Sequence, residues 1–112
     1  MMKKSEFLDY VIELLEPSGT ISSCRMFGGF AIRKDGLAIA LLFENEVYFK
    51  VDDSNRADYE ALDSEPFSYE ARGKRIIISN WKLPIEILED PDELLIWVEK
   101  SYQVALKNKK NP

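Results

Sequence analysis

The residues best equipped for chemistry lie close together after a strand-like run. Lys50, Asp52, Asp53, Asn55 and Arg56 place five charged or amide side chains within one short stretch. Asp and Asn favour helix starts because their side chains accept hydrogen bonds from free backbone N–H groups. The cluster therefore reads as a helix cap with local ion pairing. The alternative is a small anion or metal site, although Asp52 and Asp53 lack the ligand count and spacing of an EF-hand loop. Arg25, beside Gly28 and Gly29, is a second candidate. A guanidinium can grip carboxylate or phosphate through two parallel hydrogen bonds. If Arg25 converged with Arg72 and Lys74, the three could hold an acidic partner.

Composition narrows the chemistry. The 112-residue chain has no histidine and a single cysteine, Cys24. The commonest acid/base residue near neutral pH is therefore missing, and with it Ser-His and Cys-His nucleophile activation. Carboxylate-based hydrolysis or Mg²⁺ chemistry through Asp and Glu stays open. Cys24 reads as a small packed residue, since only the neighbouring Arg25 hints at an activated thiolate. Gly28-Gly29 does not match a phosphate loop, which needs G-x-x-x-x-G-K-[ST]. No cofactor is expected.

Charge argues against nucleic acid. The net charge is −5, whereas a DNA-binding surface needs a positive footprint. Acid gathers between Asp52 and Glu70 and again from Glu86 to Glu93. Two small basic groups remain: Arg72, Lys74 and Arg75, and the tail Lys107, Lys109 and Lys110. Tyr48, Phe49, Tyr69, Trp81 and Trp97 read as core or half-buried sheet residues, not as a base-stacking platform. No apolar stretch reaches the ~18 residues of a membrane span. The N-terminus lacks a signal-peptide core. A soluble protein resident in the cytoplasm is expected.

These residues need elements to hold them. Ser5 to Glu16 has apolar residues at helical spacing, ended by Pro17 and Gly19. Strand-like segments follow: Thr20 to Lys34, interrupted at Gly28-Gly29; Leu37 to Phe43 after the Asp35-Gly36 hairpin signal; and Val47 to Val51. A short helix is expected from the Asp52–Ser54 caps to Leu62. Strands Pro66–Ala71 and Lys74–Trp81 then flank Arg72-Gly73. Asp90, Pro91 and Glu93 open a last helix with the pattern of a capping box. The expected fold is a single α+β domain with a five-stranded antiparallel sheet and flanking helices, in the order α-β-β-β-α-β-β-α. Arg25, Phe27, Gly28, Gly29 and Phe30 are expected to set a bend across that sheet, with exposed backbone at the glycines as a contact platform. Lys50 and Arg56 are expected as its polar neighbours.

Four stretches together carry a family resemblance: Arg25 to Gly36 (RMFGGFAIRKDG), Glu44 to Ala61 (ENEVYFKVDDSNRADYEA), Glu65 to Lys74 (EPFSYEARGK) and Leu83 to Ser101 (LPIEILEDPDELLIWVEKS). In these the chain resembles the amino-terminal domain of the TfoX/Sxy family of bacterial competence regulators. The resemblance implies an element order similar to secretion chaperones, which are often dimeric. It also implies a link to transcription of DNA-uptake genes, beside the cyclic-AMP receptor protein. Full-length regulators carry a second, helical carboxy-terminal domain, which this sequence does not include. The expected function is therefore a non-catalytic regulatory or protein-interaction module. Its expected partner is a protein such as a transcription regulator, or a second copy in a homodimer. Direct DNA binding, a small-ligand binder and a carboxylate-based enzyme are the alternatives.

Overall fold

A computed structural model describes residues 4–26 and 28–110. Helix α1 (Lys4–Leu15) runs into a single 3-10 turn at Glu16–Ser18. Four strands follow: β1 (Ile21–Met26), β2 (Gly29–Lys34), β3 (Leu37–Phe43) and β4 (Glu46–Lys50). Short helix α2 (Arg56–Glu60) leads to β5 (Pro66–Ala71) and β6 (Lys74–Lys82). Helices α3 (Ile85–Leu88) and α4 (Pro91–Lys110) close the chain.

The strands form one antiparallel sheet in the order β1-β2-β3-β4-β6-β5. The α+β class and antiparallel pairing match the sequence expectation, but the strand count is six, not five. The element order becomes α-β-β-β-β-α-β-β-α-α. Two local causes account for the difference. Thr20 to Lys34 is not one bent strand: Met26 pairs with Gly29, so the chain reverses there as a hairpin. Gly28 supplies the left-handed φ of +77° that such a tight reversal requires. Helix α3 has only four residues, too short to leave a periodic signal.

The other hairpins follow similar turn chemistry. Asp35 and Gly36, Glu44 and Asn45, and Arg72 and Gly73 each place two successive residues at positive φ. That backbone twist matches the twist of the flanking strands. At the start of α4 the Asp90 carboxylate accepts hydrogen bonds from the Asp92 and Glu93 N–H groups, each at 3.2 Å. The cap read from sequence is thus in place.

The main core lies on one side of the sheet. Phe7, Val11 and Leu15 of α1, Tyr59 of α2, Leu88 of α3, and Leu94, Val98 and Ala105 of α4 all join one buried cluster. They pack on Ile32, Ala40, Leu42, Val47 and Phe49 of the sheet. The β2–β3 register slips, since Ile32 pairs with Ala40 but Arg33 pairs with Ala38. Ile39 is left as the extra residue of a bulge and is fully buried in the main core. On the other side a smaller cluster of Ala31, Leu41 and Phe67 contains no helical residue. The helices therefore cover one face of the sheet, and strands alone build the other.

Candidate functional site

The helix-free side is shaped by the β5–β6 hairpin. Phe67 is buried although its strand forms a sheet edge. Its ring meets Phe43 edge-on at 5.3 Å and Tyr48 at 5.0 Å, with Tyr69 at 6.2 Å. Phe43 lies on β3 and Tyr48 on β4, so the hairpin curls back over the sheet to bury one aromatic anchor. The register slip between Pro66 and Ser68 gives the strand the extra bend this needs. Beyond the anchor, burial stops. Ile76 is 37% and Ile77 65% exposed, and Arg72, Lys74 and Arg75 around the turn are all exposed.

A groove of about 370 Å³ lies beside this hairpin, lined by Phe43, Tyr48, Glu65, Phe67, Arg75 and Ile77 among others. Its walls combine aromatic faces with one guanidinium, Arg75, and two carboxylates, Glu44 and Glu65. Burial pushes the Tyr48 phenol above its ordinary value, so it keeps its proton and its donor across the physiological range. The groove offers apolar contact, and the positive charge lies beside it, at Arg72, Lys74 and Arg75 of the hairpin turn, on a chain that is acidic overall. Large exposed isoleucines rimmed by polar residues mark contact surfaces more often than isolated apolar residues do.

The Gly-Gly segment does something else. A Cβ on Gly29 would lie 1.9 Å from the Leu42 carbonyl oxygen. Glycine is needed there because β2 approaches the β3 backbone too closely for any side chain. Phe30 is half-buried against the main core. The space bounded by Phe7, Gly28, Gly29, Phe30 and Leu42 amounts to about 10 Å³, room for a single water and no ligand. Phe27 lies outside the described residues. Arg25 is exposed on β1, opposite Phe30. The segment therefore forms a tight hairpin and a close strand contact, in place of the expected platform.

Nor do the basic candidates converge. Arg25 is on edge strand β1, while Arg72, Lys74 and Arg75 belong to the hairpin at the opposite edge. Lys50 and Arg56 do share a groove, of about 500 Å³, with Asp52, Asp53, Asn80 and Asn108. No residue from Arg25 to Phe30 lines it, so Lys50 and Arg56 are not neighbours of the Gly-Gly segment in this sense. Arg56 pairs with Asp53 and Lys107 pairs with Asp52 at 3.3 Å. The Asn55 amide braces the turn before α2: its oxygen accepts from the Asp52 N–H at 2.9 Å, and its nitrogen donates to the Lys50 carbonyl at 3.2 Å. The ion pairing expected of this cluster is present, but Asn55 makes no side-chain hydrogen bond to the first N–H groups of α2, so the expected helix cap is replaced by bonds within the preceding turn. Among the described residues, no group of three or more Cys, Asp or Glu is placed to hold a metal ion.

The sequence reading passed over Ile76, Ile77 and Ile78 as surface. The signal was present: three successive isoleucines without alternation cannot all be buried on an edge hairpin, and a basic turn adjoins them. Which of them stays exposed depends on how far the hairpin curls.

The TfoX N-terminal domain family model matches residues 13–105. No curated protein matches the chain.

Proposed function

The chain belongs to the TfoX N-terminal domain family, and from that premise we propose that it is a non-catalytic protein-interaction module. It acts by presenting the β5–β6 hairpin and the adjoining aromatic groove to a protein partner. The observation that carries this reading is the asymmetry of the hairpin. Phe67 anchors it, while Ile77 and its basic neighbours Arg72, Lys74 and Arg75 project beyond the anchor. A partner with an apolar patch ringed by acid fits this chemistry, because complementary charge selects the partner and apolar burial supplies affinity. The proposed setting is bacterial and cytoplasmic, with the partner a regulator of transcription, as for competence genes.

DNA binding has less support. The hairpin offers three basic residues close together, but the chain carries 20 acidic residues against 15 basic ones.

The test is capture by the immobilised domain from bacterial lysate, in parallel with an Ile77→Glu variant. Ile77 is exposed, so the substitution should leave the melting temperature nearly unchanged. A specific protein retained by the native domain and lost from the variant is the expected result. Equal retention by both, or a gel shift showing tight DNA binding that collapses with added salt, would overturn the proposal.

A further inference from the structure

The groove beside α2 holds an ammonium, that of Lys50, with which neither of the lining carboxylates pairs. Its lining contains two cations, Lys50 and Arg56, and two carboxylates, Asp52 and Asp53. Asp53 is taken by Arg56. Asp52 is taken by Lys107 from α4 and by Ser54, whose backbone N–H donates at 2.7 Å. Among the described residues no carboxylate comes within ion-pair distance of Lys50. The four lining charges cancel, and Lys107, whose ammonium joins them through Asp52, brings the local count to one surplus positive charge on an acidic protein.

Lys50 is also held in place. It ends β4, where its carbonyl accepts hydrogen bonds from Asn55 and Ser101. Its strand neighbour Asn80 is buried and donates to the Tyr48 carbonyl at 3.0 Å. The backbone beneath the ammonium is thus fixed from three sides. Burial alone lowers the Lys50 pKa, with no acid to offset it. A half-buried ammonium of this kind gains when an anion replaces the water it has lost.

We propose that this groove binds a small carboxylic acid, with the Lys50 ammonium as its counter-charge and Arg56 as a second donor. Charge count selects the ligand class. One surplus positive charge is neutralised by one carboxylate, whereas a phosphate dianion would leave a negative excess beside Asp52 and Asp53. Arg56 has a half-exposed side chain and its partner Asp53 is 91% exposed, so the pair can open towards a ligand at little cost. A volume of about 500 Å³ lies within the range of small-molecule sites and leaves room for the body of the acid. The site uses Ile78, Ser79 and Asn80 of β6 but none of the exposed residues from Arg72 to Ile77, so it stands or falls without the proposed interaction surface.

The experiment is a ¹H–¹⁵N NMR titration of the whole chain with N-acetylglycine, its neutral amide, and inorganic phosphate. N-acetylglycine should give saturable shifts confined to Lys50, the Asp52–Arg56 turn and Asn80. The neutral amide should give none, and phosphate should bind more weakly. Lys50→Met keeps the apolar stem and removes the charge; it should cut affinity at least tenfold while the spectrum stays dispersed. Arg56→Gln, on an exposed side chain, should weaken binding by a smaller factor. Equal shifts from acid and amide, phosphate binding tighter than the carboxylate, or undiminished binding by folded Lys50→Met would each overturn the assignment.

Discussion

The hydroxyl of Ser101 donates a hydrogen bond to the carbonyl oxygen of Lys50 at 2.9 Å, joining the middle of α4 to the last residue of β4. Ser101 is fully buried. The Lys50 carbonyl lies at the strand end and takes its second bond from Asn55. One backbone oxygen thus ties together the long helix, the central sheet and the turn that opens α2.

This link makes Ser101→Ala informative. The substitution removes one donor and leaves the Asn55 bond. A net hydrogen bond contributes roughly 1 kcal/mol, so stability should fall by about that amount. Urea denaturation checks it, and an unchanged midpoint would show that the bond contributes nothing net.

Two glycine substitutions separate backbone strain from steric exclusion. Gly28→Val forces a β-branched residue into the left-handed region, where a side chain costs roughly 1–2 kcal/mol. Gly29→Ala sets a methyl group 1.9 Å from the Leu42 carbonyl oxygen, so β2 and β3 must part. Overpacking of that kind costs roughly 1–3 kcal/mol, and it falls on a central strand pair. Calorimetry should show both variants melting below the native chain. Native-like melting of Gly29→Ala would mean that the β2–β3 approach is looser than described.

On the alkaline side Lys50 governs the sign. Its folded pKa is lowered by burial, so the unfolded state binds the proton more tightly. The charged lysine is a liability that is fully present below the folded pKa. It is relieved as pH rises towards the ordinary lysine value of 10.5. Lys50→Met should therefore melt above the native chain at pH 7, with the gap narrowing in alkaline buffer. A variant less stable at pH 7 would show that the ammonium has a stabilising partner.

On the acid side Asp52 acts in the same sense. Its pKa is lowered, first by the Ser54 hydroxyl, then by the Ser54 N–H and by Lys107. The stability it contributes is present above the usual value of 3.8 and is lost as pH falls through the depressed folded value. Asp52→Asn should flatten the acid limb of a stability–pH curve measured by urea unfolding. An acid limb identical to the native one would remove Asp52 from the account.

Sequence alone determined what short-range chemistry controls. The paired turns at Asp35-Gly36 and Arg72-Gly73, the Asp90 cap and the apolar stripes were legible, because each depends on neighbours in the chain. So was the family, since four motifs stood in order across most of the chain. Even Gly28-Gly29 was recognised as special, although it was read as a bend in one strand and proved to be a hairpin between two.

Tertiary structure decided everything that depends on partners distant in sequence. Phe67 is buried only because its hairpin curls onto Phe43 and Tyr48, and that same curl leaves Ile77 outside. Among the described residues Lys50 has no carboxylate within ion-pair distance, because Asp53 turns to Arg56 and Asp52 to Lys107 on α4. Arg25 and the basic hairpin stay apart because the strand order sends β1 and β5 to opposite edges. Hydrophobic periodicity shows that a residue has an inward side, but burial and charge compensation are sums over neighbours supplied by chain topology.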